Sequence, residues 1–214
     1  MVSETAADKD LTAPERASAV CVPRSYQPVK RALDLLLALI LLPVLGPIML
    51  LIAAVIKLDS SGPAIYRQER VGVLGRLFTF YKFRTMRVGT PVLSTAEMQQ
   101  QKTKPYTRIG PFLRKTSLDE LPQLFNIIKG EMSFVGPRPA LPSQADVNSL
   151  RQLHGVDAVR PGITGVAQVH GRDDLAVEEK VEYDTEYCRN MSFLRDLKIV
   201  VQTFGAVLTA RGNK

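Results

Sequence analysis

Asp119 and Glu120 stand side by side in the stretch from Thr107 to Pro139, with Arg108, Arg114 and Lys115 ahead of them and Arg138 behind, between Pro137 and Pro139. Adjacent carboxylates among guanidiniums suit attack on a phosphorus atom. The cations neutralise an anionic diphosphate, and a carboxylate can then act as nucleophile. The two prolines fix φ on either side of Arg138 and aim its guanidinium from a stiff turn. A plainer reading stands beside this one. Ser117 followed by Glu120 before Leu121, Leu124, Phe125 and Ile128 is a capping-box pattern, which predicts a helix with Asp119 and Glu120 in its first turn. Acidic residues there complement the exposed N–H groups without doing chemistry. On the residues alone both readings stay open. Upstream, Phe78, Phe80, Lys82 and Arg84 alternate onto one face of a predicted strand, which is either a further anion site or a solvated edge.

The elements that must position these groups begin with residues 35–56, LLLALILLPVLGPIMLLIAAVI, a run of 22 positions without a charged or polar side chain. As a helix it covers about 33 Å, enough for a hydrocarbon core of about 30 Å. Pro43 and Pro47 interrupt it, and each removes a helical N–H. Basic residues lie on both flanks: Arg24, Lys30 and Arg31 before, then Lys57, Arg67, Arg70 and others after. Excess basic charge marks the cytoplasmic side, so a helix that breaks at Pro43 and returns to the same face satisfies both flanks. A simple span and a buried soluble hairpin are the alternatives. Asp34, spaced for helical pairing with Lys30 and Arg31, reads as a surface anchor.

Residues 1–29 read as a flexible tail, 30–58 as the membrane segment and 59–210 as one catalytic-sized domain. Ala64–Gln68 and Leu77–Arg84 read as strands of a hairpin closed by the Gly72/Gly75 loop, and Gln99–Arg108 as a surface excursion. Leu194, Leu197, Ile199, Val200 and Val201, beside Arg195 and Lys198, predict a helix that is partly core and partly interfacial. The formal charge of +7 suits an anionic membrane face or phosphate-bearing substrates. Nucleic acid fits poorly, because the aromatics form no stacking platform. Cys21 and Cys188 have no metal or redox spacing and read as reduced thiols. His154 and His170 lie too far apart to suggest zinc, and no glycine-rich nucleotide motif is present.

Taken together, KRALD at 30–34, the proline-broken apolar run, GPAIYRQERVG at 62–72, YKFRTM at 81–86, TSLDELPQLFNIIKGEMSFVGPRP at 116–139 and RPGITGVAQVHGR at 160–172 resemble the monotopic phosphoglycosyl transferases, or bacterial sugar transferases. The resemblance covers roughly residues 28–208. It implies a mixed α/β small domain on an N-terminal re-entrant, proline-kinked membrane helix with amphipathic interface helices, at the cytoplasmic face of a bacterial inner membrane. It implies that Asp119 attacks a UDP-sugar, that UMP leaves, and that polyprenol (undecaprenyl) phosphate takes the phosphosugar from the enzyme as the first membrane step of glycan assembly. Glu120 becomes the companion that helps hold Mg²⁺ or manages a proton. Asp119 and Glu120 are the implied metal ligands, Arg138, Lys82 and Arg84 the phosphate contacts, Pro137 and Pro139 the positioning turn, and Pro43 the membrane kink. The implied partners are the UDP-sugar donor, polyprenol phosphate and the phospholipid membrane, with room for downstream glycosyltransferases and no nucleic acid. Two departures stand out: Leu42-Pro43 where the family has Ser-Pro, and Val166 where it commonly has tryptophan. The rival functions are a non-catalytic membrane-tethered scaffold for glycan assembly and a hydrolase that passes the same adduct to water.

Overall fold

In a computed structural model, the residues described are 23, 25–90, 105–171 and 175–208. The apolar run lies within one 34-residue helix, α1 (Tyr26–Asp59), which is helical on both sides of Pro43 and Pro47 and starts four positions before Lys30. Lys30, Asp34, Ala38, Met49, Ile52 and Ile56 are buried along it. Their spacings of three, four and eleven mark one face, with Leu41, Leu42 and Leu45 on the same side. The other face carries exposed Leu36, Ile40, Val44, Leu50, Leu51 and Leu58, with Leu50 74% exposed.

The catalytic-sized domain packs along the whole buried stripe. Ala38 meets Phe80, Leu124, Ile127 and Met132, while Met49, Ile52 and Ile56 meet Phe83 and Leu113. The hairpin expected after α1 is present: β1 (Ile65–Val71) pairs antiparallel with β2 (Leu77–Phe83). A single turn at Val73–Gly75 closes it, with Leu74 at φ 52°. Next come α2 (Gly110–Lys115), a 3-10 turn (Leu118–Gln123) and α3 (Leu124–Lys129). A second, parallel pair joins β3 (Ser133–Val135) to β4 (Gly162–Thr164), with α4 (Ala145–Leu153) between them. After β4 come α5 (Val166–His170), α6 (Val177–Arg189) and α7 (Phe193–Leu208). The fold is thus a mixed helix-and-sheet domain seated on one long apolar helix.

Several expectations change. The polar residues opening α1 do not form a local surface anchor. Lys30 Nζ lies 2.5 Å from Asp196 Oδ2 of α7, Arg31 donates to the carbonyls of Ile127 and Ile128, and buried Asp34 accepts from the Phe134 N–H. Long-range partners win because α1 lies against the domain from its first turns. Asp196 also accepts from Tyr26 and Tyr187, so one carboxylate ties α1, α6 and α7. On α7, Ile199 is buried while Phe193, Leu194, Leu197, Val201 and Phe204 are exposed, matching the expected division between core and surface. Residues 99–104 of the expected surface excursion lie outside the described residues, but Tyr106 bridges to Met86 and Thr107 is buried.

Candidate active site

The helix expected over Asp119 and Glu120 is a 3-10 turn, and the capping box is not formed. Ser117 sits at φ 57° in the left-handed region and its side chain makes no cap bond. A left-handed residue closes α2, and Pro122 has no N–H to continue a regular ladder; α-helical geometry resumes only at Leu124. Asp119 is buried on this turn. Removal from water, then the neighbouring charge of Glu120, push its carboxyl up to about 6; the Lys82, Arg114 and Arg138 cations oppose that rise. Lys82 of β2 is pushed down to about 8, by burial first, with the Asp119 carboxylate working the other way. Glu120 accepts from Arg138 at 2.9 Å.

Asn126 registers β2 against the Asp119 turn. Its amide donates to the Thr79 carbonyl at 2.7 Å and its oxygen accepts from the Tyr81 N–H at 3.2 Å. The side chain thereby serves as a short strand partner for β2, one residue short of Lys82. Its amide donates also to Glu131.

The Gly136–Pro139 turn is held from several elements. Pro137 and Pro139 are buried and Arg138 between them is exposed. The Pro137 carbonyl accepts from the Gly162 N–H, and that of Ala140 from Val71 N–H. Arg70 donates to the Pro139 carbonyl at 3.0 Å, and Arg151 to the Arg138 carbonyl at 2.7 Å. Arg151 is itself clamped by Asp184 at 2.6 Å, a carboxylate raised by burial and drawn back by Arg151. Gly136 and Gly162 permit the turn: a Cβ on Gly136 would come within 2.5 Å of the Arg160 carbonyl, and one on Gly162 within 2.1 Å of the Gly136 nitrogen.

The structure therefore brings Asp119, Glu120, Lys82 and Arg138 together and adds Arg114, which also lies over the Tyr106 ring. Arg84 is elsewhere. Its guanidinium is bonded to Ser60 and Ser61, because its backbone pairs with Ala64 at the end of the hairpin, next to the segment that leaves α1. His170 bonds the Val166 carbonyl and stacks on Tyr183 at 4.8 Å. Cys188 is buried, its thiol pushed up to about 12 by burial first and then by Asp184. Arg151, Asp184 and Asn126 were not singled out from sequence. They act across 13 to 47 positions, and no local spacing marks them.

With that geometry in view, the family profile described as bacterial sugar transferase matches residues 25–210. The chain belongs to that family. It is 39% identical over 198 residues to the exopolysaccharide production protein ExoY of Rhizobium meliloti, a match covering 86% of this chain and 87% of ExoY. It is 40% identical over 194 residues to the undecaprenyl-phosphate glucose phosphotransferase of Komagataeibacter xylinus, covering 85% of this chain and 36% of that protein. With a UDP-N-acetylgalactosamine-undecaprenyl-phosphate N-acetylgalactosaminephosphotransferase of Aeromonas hydrophila it shares 40% over 199 residues, covering 88% of this chain and 46% of the relative. The chain thus spans less than half the length of the latter two and most of ExoY. The names of the two longer relatives specify different sugars at the same 40% identity, so overall similarity does not set the donor.

Proposed function

We propose that the protein transfers a phosphosugar from a UDP-sugar to polyprenol phosphate through an adduct on Asp119. A carboxylate oxygen of Asp119 attacks the phosphorus bearing the sugar. The bond to the bridging oxygen breaks, and UMP leaves with that electron pair. An oxygen of polyprenol phosphate then attacks the same phosphorus, freeing the carboxylate and giving a polyprenol diphosphate sugar. The observation that carries this reading is the buried Asp119 carboxylate at about 6, within the field of Lys82, Arg114 and Arg138. It is ionised at neutral pH yet poorly solvated, which favours a nucleophile, and the cations match a diphosphate. Arg138, paired with Glu120, can exchange that partner for a phosphate oxygen.

Among the described residues no cluster of three or more metal-ligating side chains occurs. Two adjacent carboxylates nevertheless fit Mg²⁺, which is commonly held by one or two carboxylates plus substrate phosphates. Asp119 and Glu120 would hold it, and when bound it would offset charge on the diphosphate.

The membrane arrangement belongs to the same proposal: α1 enters and leaves at one face, bending at Pro43, with the domain on the cytoplasmic side of the inner membrane. The buried stripe supports this. The domain touches α1 from Lys30, through Asp196, to Ile56, through Phe83 and Leu113. A perpendicular span would carry part of that contact through the bilayer. The test of function is UMP release from a panel of UDP-sugars by nanodisc-held protein with Mg²⁺ and undecaprenyl phosphate. Release from one donor with lipid-linked product, lost in Asp119→Asn, supports the transferase. UMP without lipid product points to hydrolysis, and a silent panel to a scaffold.

A further inference from the structure

A cavity of about 400 Å³ lies away from the Asp119 group and shares no lining residue with it. Along β2, Phe78 in its wall is four residues from Lys82, about 13 Å. Arg31 from α1, Arg76 from the hairpin loop, Lys129 from the end of α3 and Arg160 before β4 converge on it, against the carboxylates of Asp34 and Glu131. A further lining cation, Lys30, is paired with Asp196.

The guanidiniums are positioned without being neutralised. Arg31 is bonded to the Ile127 and Ile128 carbonyls, and Arg160 to the Gly130 carbonyl at 3.0 Å. Neither has an ion-pair partner among the described residues. Both carboxylates are occupied with donors, Asp34 with the Phe134 N–H and Glu131 with the Asn126 amide. Against these two carboxylates stand four cations besides Lys30, so the cavity keeps an excess of positive charge, suited to an anion.

Its position selects the source. The α1 wall ends at Asp34, the last polar residue before the apolar run, with exposed Leu33, Leu36 and Leu37 around it. Met191, on another wall, comes two residues before exposed Phe193 and Leu194. The cavity thus adjoins exposed apolar residues of both α1 and α7, which on the proposed placement sets it at the level where a bilayer places its phosphates.

We propose that this cavity seats the phosphate-bearing headgroup of an anionic phospholipid. The inference rests on the membrane placement of α1 proposed above and is independent of the chemistry at Asp119.

The experiment is thermal unfolding of the detergent-held full chain, titrated in parallel with short-chain phosphatidylglycerol and inorganic phosphate. Phosphatidylglycerol is expected to raise the midpoint saturably, and inorganic phosphate at equal concentration to leave it unmoved. Arg76→Glu, at an exposed loop position, should raise the half-saturating lipid concentration about fivefold, and Arg76→Glu with Lys129→Glu at least about tenfold. Asp119→Asn should keep the full lipid response, which separates this site from the reaction centre whether or not UMP is released. No response to phosphatidylglycerol, or an unchanged response in the double variant, overturns the proposal. An equal response to inorganic phosphate overturns the lipid assignment.

Discussion

Arg151 holds the backbone of Arg138: its guanidinium donates to the Arg138 carbonyl at 2.7 Å, while its other edge is gripped by Asp184, a residue only 1% exposed. The exposed arginine is thus aimed by a part-buried ion pair on α4 and α6. Arg151→Ala is expected to lower turnover about 10- to 100-fold through misplacement of the Arg138 turn, with a smaller change in donor KM. Arg151→Lys, which can keep one of the two contacts, should recover part of the loss. Steady-state kinetics on both variants, with melting temperatures alongside, checks this; equal damage from Lys and Ala would argue for folding alone.

Asp119→Asn should lower turnover by about 10⁴-fold or more, as expected for a lost nucleophile. It should also stabilise the protein at neutral pH. Asp119 is raised to about 6 in the fold, above the ordinary value near 4. Its charged form therefore costs the folded state fully above pH 6, and that cost fades as pH falls toward 4. The variant's advantage, about 2–3 kcal/mol at most, should be present at pH 7.5 and gone near pH 4. Chemical denaturation at the two pH values measures it.

The rate should follow a bell. Its acidic limb comes from Asp119 near 6 and its alkaline limb from Lys82 near 8, where the cation is lost. Glu120 is the second contributor to the rise of Asp119, so Glu120→Gln should move the acidic limb to lower pH in whatever activity remains. Lys82→Arg keeps the charge and should push the alkaline limb upward. A limb that stays in place in Lys82→Arg would falsify its assignment to Lys82.

Both ends of α1 should face one compartment. In a Cys21→Ser background, Ser25→Cys and Ser61→Cys should both react with an impermeant maleimide in everted vesicles and neither in spheroplasts. Labelling of the two sites from opposite sides would establish a span instead.

Asp196→Ala removes the acceptor shared by Tyr26, Lys30 and Tyr187. Leaving Lys30 buried without its partner should cost about 3–5 kcal/mol, read as a lower unfolding midpoint. Lys30→Met in the same chain should restore part of it, because it removes the stranded charge.

Sequence and structure agree where the signal is local. The hairpin was legible because period-two strands flank a glycine-bearing loop, and α1 because its apolar run is long enough for a helix of many turns. Asp119, Glu120, Lys82 and Arg138 were legible through clustered chemistry and family resemblance, and they come together. Arg84 was misread because its place opposite Ala64 at the end of the hairpin sets its guanidinium beside Ser60 and Ser61, just after α1. The capping box failed on Ser117, whose left-handed φ no composition rule marks, and on Pro122. The β3–β4 pair was illegible, its strands being three residues each. The two family departures acquire a place: Leu42 packs against the domain, and Val166 is buried beside Val135 and Tyr187. A tryptophan at 166 would need those neighbours to move.

α1 waits for α7. Arg31, Asp34 and Lys30 find their partners 96, 100 and 166 positions later in the chain. As the polypeptide leaves the ribosome, α1 emerges with a polar collar that has nothing to bond but water and lipid headgroups. Its seat on the domain is complete only after Asp196 has been made, because Lys30 and Tyr26 both depend on that carboxylate. On the membrane placement proposed above, insertion of α1 and closure of the domain are linked in time, and a chain truncated before α7 would leave Lys30 without its carboxylate.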